Sequence, residues 1–155
     1  QYHPCLLCHR RKQGVLGNAL AHEADDLYSA NAMMPYGPGH NTYFLIYCAN
    51  MDGQSGVAKT YGEILRSIYD EYPDKEDSPG VNEGFNLPLT TLIRFGEYEA
   101  VLNDTWQAPG GETEAQNSYA DLLRHWARGM AFINLAGEDA ENAAAAATEL
   151  DAVRS

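Results

Sequence analysis

The sequence predicts an all-α chain, an α-solenoid of antiparallel helical hairpins, on three observations. Apolar residues recur three and four apart through His40–Met51, and again through Val57, Ala58, Tyr61, Ile64, Leu65 and Ile68. The glycine-bearing turn Met51-Asp52-Gly53-Gln54 separates these two stripes, as in two helices joined tightly. No stretch alternates polar and apolar residues at strand spacing. A lone hairpin cannot bury its apolar face, so stacked neighbours are expected.

The elements follow in order. Residues 1–13 read as a polar, basic leader holding Cys5-Leu6-Leu7-Cys8-His9, and residues 14–155 as a single helical domain. Gly14–Asn31 is predicted helical, with Leu16, Leu20, Ala24 and Leu27 on one stripe. Pro35-Tyr36-Gly37-Pro38-Gly39 is a loop, since its prolines and glycines interrupt any helix. The hairpin then occupies His40–Tyr72, where the small Ala58 lets the two helices approach. Pro73–Gly84 is charged, carries two prolines and two glycines, and reads as a surface loop. Phe85–Phe95 and Glu97–Asp104 form a shorter helical pair. Gln107–Glu112, with Pro109-Gly110-Gly111, is another loop. Thr113–Ala136 is a long helix, with Thr113 as its cap and Glu114 in its first turn. Glu138–Val153 closes the chain. Its run Ala143–Ala147 forms helix strongly but offers little large apolar surface, which suits a terminal helix partly facing water.

Three strings carry a resemblance: the hairpin with His40-Asn41-x-x-Phe44-Leu45, then Arg94-Phe95-Gly96, then Trp126-Ala127-Arg128-Gly129 leading into Leu135-Ala136-Gly137. In this order and spacing they resemble a divergent tetratricopeptide repeat protein, over residues 14–155. The chain departs from the pattern in a short repeat at Arg94–Leu102 and in an extra residue between Gly129 and Gly137. The proline that often closes a repeat is absent after Leu65 and Leu150. In such arrays the first helix of each hairpin lines a concave, ligand-binding surface. The resemblance therefore implies a groove containing His40, Tyr43, Tyr47 and Asn50, then Asn86, Thr90, Ile93 and Arg94, then Arg124, Arg128 and Asn134. The spacing of His40, Tyr43, Tyr47 and Asn50 does put them on one helical stripe, with Phe44, Leu45 and Cys48 toward the packed side. The plainer reading makes His40 and Asn41 a helix cap and the tyrosines core residues with satisfied hydroxyls.

Cys5, Cys8 and His9 have the spacing of a haem c attachment, two thiols for thioethers and a histidine for the iron. Cys5 and Cys8 also read as part of a zinc site with two of His3, His9 and Cys48, as a disulfide, or simply as buried cysteines. Cys48 itself reads as a buried small residue. Trp106 and Trp126 read as packing residues. No phosphate loop, metalloprotease string, serine elbow or carboxylate pair is recognisable, so no enzyme activity and no catalytic residue are expected.

The chain has 22 acidic and 10 basic residues, a net charge of −12, which excludes a nucleic-acid backbone as partner. The charge serves solubility or attracts a basic partner. No stretch approaches the roughly 18 apolar residues that cross a membrane. The chain begins at Gln1 and is expected to be a processed product or a C-terminal piece. The expected function is a protein–protein interaction scaffold or accessory subunit of a larger assembly, without a cofactor and intracellular or organellar. The alternative is a haem-bearing electron carrier.

Overall fold

A computed structural model describes residues 15–17, 19–20, 23, 39–70, 79–105, 114–137 and 139–154. Among these residues every regular element is a helix and there is no strand. Six long elements are designated α1 (His40–Met51), α2 (Ser55–Asp70), α3 (Pro79–Arg94), α4 (Tyr98–Asn103), α5 (Glu114–Ala136) and α6 (Ala140–Arg154). Contacts gather the chain into two compact units, Gln1–Pro73 and Asp74–Ser155.

In the first unit α1 and α2 pack as a hairpin. The turn between them is closed by backbone bonds from Gly53 N–H to Asn50 O (3.4 Å) and from Gln54 N–H to Ala49 O (2.9 Å). This paired pattern needs a left-handed residue just past the helix, and Gly53 supplies it with φ +74°. Gln54 then starts α2, its carbonyl accepting the Ala58 N–H. The second turn repeats the device. Gly96 has φ +73°, Gly96 N–H bonds Ile93 O, and Glu97 N–H bonds Leu92 O. Leu45, Ile46, Cys48 and Ala49 of α1 and Ala58, Leu65 and Tyr69 of α2 are all nearly or wholly shielded from solvent. Ala58 is fully buried. Thr42 and Asn50 are buried as well, so more than half of the circumference of α1 is enclosed.

Gly39 precedes α1 with φ +78°, and its carbonyl accepts the first helical bond, from Tyr43 N–H at 2.8 Å. A Cβ there would lie 2.6 Å from Leu65 Cδ1 and 2.9 Å from Tyr69 Cε1. Both the backbone angle and the space demand glycine. Leu16 and Leu20, expected on an apolar stripe, are helical but 62% and 57% exposed.

In the second unit α5 is central. It packs on α3 and α4 along one side and on α6 along another. Its Ala127 and Ala131, one turn apart and fully buried, meet Leu89 of α3 and Val101 of α4. Partly buried Leu92, Ile93, Tyr98 and Leu102 close round them. The expected loop over Pro73–Gly84 is corrected at its end, because α3 begins at Pro79. Proline suits the first helical position, where no N–H bond is required and its fixed φ is already helical. α6 begins at an Asp139 cap, whose Oδ1 accepts the Glu141 N–H at 2.9 Å. The leader 1–13, the loop 107–112, Thr113 and Trp106 lie outside the described residues.

Gly39→Ala should lower stability by about 2–4 kcal/mol, the sum of a left-handed alanine and a forced side-chain shift. Gly56→Ala, at an exposed position in α2 with open space around the new Cβ, should raise it by about 0.5 kcal/mol. Denaturant unfolding of both variants checks the pair. Equal effects at the two sites would refute the close approach at Gly39.

Candidate functional site

α5 divides its surface among three neighbours. Ala127 and Ala131 take the face toward α3 and α4. A second face, turned to α6, carries Arg128 and His125. Arg128 Nε donates to Glu149 Oε1 at 2.7 Å, and His125 Nδ1 donates to Glu149 Oε2 at 2.6 Å. One carboxylate is thus held by two bases from adjacent turns of α5. Arg128 also donates from Nη1 to Leu102 O at 3.5 Å, and its guanidinium lies 5.6 Å from the centre of the Phe132 ring. Burial alone would raise the Glu149 carboxyl, but the hydrogen bonds from His125 and Arg128 and the attraction of their charges outweigh it. The carboxyl is held below the usual glutamate range.

The third face of α5 has no helix on it among the described residues. Trp126 and Ile133, seven residues apart, are 40% and 61% exposed, and Leu150 of α6 is 47% exposed. Between them lies an open cavity of about 230 Å³ whose lining is almost wholly apolar. Its depth comes from small residues. Gly129 of α5 and Ala146 and Ala147 of α6 leave room between the larger side chains. The result is an apolar seam running along the α5–α6 pair.

The residues that the sequence points to are placed as follows. His40, Tyr43 and Tyr47 are half-buried on α1 and Asn50 is buried. The His40 and Phe44 rings meet edge-on with centroids 5.0 Å apart, and the Tyr43 and Phe44 rings do so at 5.8 Å. Each of the four polar residues has a contact within the chain. Thr90 Oγ1 donates to Leu87 O of its own helix at 2.8 Å. Arg94 is exposed, with an interaction inside the chain. Arg124 Nη2 donates to Asp104 O at 3.3 Å, beyond the end of α4. Arg124 and Arg128 therefore brace α5 against α4, and Arg128 also carries an internal carboxylate.

Trp126 is corrected from packing residue to part of an exposed face. Ala127 and Ala131 take the core side, and Trp126 stands about 100° round the helix from Ala127. Cys48 is buried as expected, and it is disulfide-bonded, which removes its sulfur from any zinc site. Cys5, Cys8 and His9, the haem or zinc candidates, lie outside the described residues. Among the described residues no group of histidine, cysteine and carboxylate side chains could hold a metal ion, and no helix is long and apolar enough to cross a membrane.

The seam escaped the sequence reading, although a signal was present. Leu122, Leu123, Trp126, Met130 and Ile133 fall within about 100° of one another round α5, so its one large-residue stripe lies beside the arc of Ala127 and Ala131 and not on it. Comparison with protein-family models, curated proteins and solved structures finds no match to this chain.

The Glu149 contribution to stability should be fully present above the ordinary glutamate range, near pH 4–5, and be lost as pH falls through its lower folded value. Glu149→Gln should cost on the order of 1 kcal/mol at neutral pH and flatten this acid limb. Melting curves of both proteins between about pH 3 and 7 test it. Parallel pH profiles would show that the shared carboxylate does not bind α6 to α5.

Proposed function

We propose that the protein is an interaction module: a divergent, tetratricopeptide-like stack of helical hairpins serving as scaffold or accessory subunit, which docks a segment of another protein. The observation that carries this reading is the apolar seam of α5 and α6. Large apolar side chains standing in solvent on one continuous face mark contact with a partner. The hairpin turns at Gly53 and Gly96 support the stacked-hairpin architecture. The acidic balance supports a protein partner over nucleic acid.

The reading shifts the binding site from the polar stripe of α1 and the α5 arginines to the seam. The arginines already have internal acceptors, and the α1 side chains have contacts in the chain. Partner docking at the seam leaves those bonds intact.

A photoreactive benzoylphenylalanine placed at Ile133, and separately at Tyr47, distinguishes the two faces. The Ile133 probe should give a protein adduct that maps to one continuous segment and disappears when Ala147→Gln fills the cavity. The Tyr47 probe should link only within the chain. A mapped adduct from Tyr47 alone would return the site to α1, and no protein adduct from either position would reject the module.

A further inference from the structure

We propose that the seam receives a cationic amphipathic α-helix of another protein, with its apolar stripe on Trp126, Ile133 and Leu150 and its basic residues toward the acidic groups beyond the ends of the seam. This inference rests on the interaction reading above and names the conformation and charge of the segment.

The conformation follows from hydrogen bonding. An extended segment laid in the seam would bring a row of N–H and C=O groups against a wall that offers them few partners. The lining is apolar apart from the Trp126 indole N–H and His125, whose Nδ1 is already given to Glu149. A helix satisfies its own backbone and presents only side chains. The dimensions agree. Trp126 to Ile133 and Ala146 to Val153 each span seven residues, about 10 Å of helix. That length accepts two turns of a third helix, with anchors at i, i+3 or i+4, and i+7. The recess formed by Gly129, Ala146 and Ala147 receives the middle anchor.

The charge follows from the surroundings. Residues 74–155 carry −10 of the chain's net charge of −12, and among their described side chains eight carboxylates outnumber four arginines. Exposed Asp121 lies five residues before Trp126 on α5, and exposed Glu141 five residues before Ala146 on α6, so acidic groups stand beyond both ends of the seam. A second copy of this chain would bring its own −12 against this surface. A basic helix gains attraction where a second copy meets repulsion. Glu149 takes no part, since both its oxygens are already engaged by Arg128 and His125.

The test uses the full chain with Trp106→Phe, so that Trp126 is the sole tryptophan. Three tryptophan-free peptides of about 18 residues (five turns) are titrated: a leucine–lysine amphipathic helix, the same composition scrambled, and a leucine–glutamate helix with the same apolar pattern. The leucine–lysine helix should blue-shift Trp126 emission saturably, and bind about tenfold or more tighter than the other two. Ile133→Asn and Ala147→Gln leave the net charge untouched and alter exposed positions, so the fold persists by circular dichroism. Each should weaken that binding about tenfold. Unchanged affinity in both variants would overturn the proposal, since attraction would then be electrostatic and unconnected with the seam. Equal binding of the glutamate helix, lost in both variants, would overturn the charge assignment while leaving the seam a helix-docking site. No binding by any peptide, with self-association that Ile133→Asn abolishes in sedimentation, would overturn the choice of partner in favour of a second copy.

Discussion

The second unit depends on the Glu149 carboxylate that His125 and Arg128 share. α6 is an alanine-rich helix, and among its residues only Ala146 is buried. Ala145, Glu149, Ala152 and Val153 are half-buried, so α6 meets α5 mainly through small side chains and one carboxylate. Two charge-assisted hydrogen bonds to one carboxylate add energy and, above all, direction. They set the rotation of α6 about its own axis. Leu150 stands half-exposed on the same cavity that Trp126 lines. A helix held by large apolar side chains would have buried Leu150 and left no recess.

Much of the fold was legible because turns and periodicity are local. Gly53 and Gly96 stand at the left-handed position that a helix end demands, and each is followed by the residue that opens the next helix. The burial of Ala58 is likewise local in origin, since it lies on the apolar stripe of its helix. The start of α3 was not legible, because prolines and charges over residues 73–84 signal a loop equally well when proline sits at a first helical turn. The site was legible least. Periodicity says which residues share a face, but not which face the tertiary contacts leave open. α5 carries three useful faces, and only packing decides that Ala127 and Ala131 go inward while Trp126 stays outside. The arginines at 124 and 128 read from the sequence as spare cations, because their acceptors at Asp104 and Glu149 lie 20 and 21 residues away.

The first unit shows the opposite balance. α1 is enclosed on most sides, with Thr42, Leu45, Ile46, Cys48, Ala49 and Asn50 all buried. Of its polar stripe only Asn50 belongs to that enclosed arc, while His40, Tyr43 and Tyr47 lie on the other side of the helix, half-buried and each with a contact in the chain. Gly39 shows how tight the enclosure is, since even a methyl group would collide with Leu65 and Tyr69. The disulfide at Cys48 adds a covalent constraint to a helix already fixed by packing. Such a helix is poorly suited to remodelling around a ligand, because every side chain that turns outward must give up an interior contact.

Stability and recognition are coupled in the α5–α6 pair. Gly129, Ala146 and Ala147 make the seam deep, and the same small residues give α6 little apolar grip on α5. Filling the recess with larger side chains of the protein's own would strengthen the pair and close the site. Leaving it open keeps Trp126, Ile133 and Leu150 in water at a cost of about 25 cal/mol for each Å² of apolar surface that a partner would cover. A docked helix supplies the burial that α6 lacks. By linkage, whatever binds this surface must also stabilise α6 against α5, since only the packed pair presents both walls of the seam. The shared carboxylate holds those walls in register before a partner arrives, so docking loses little to ordering the site.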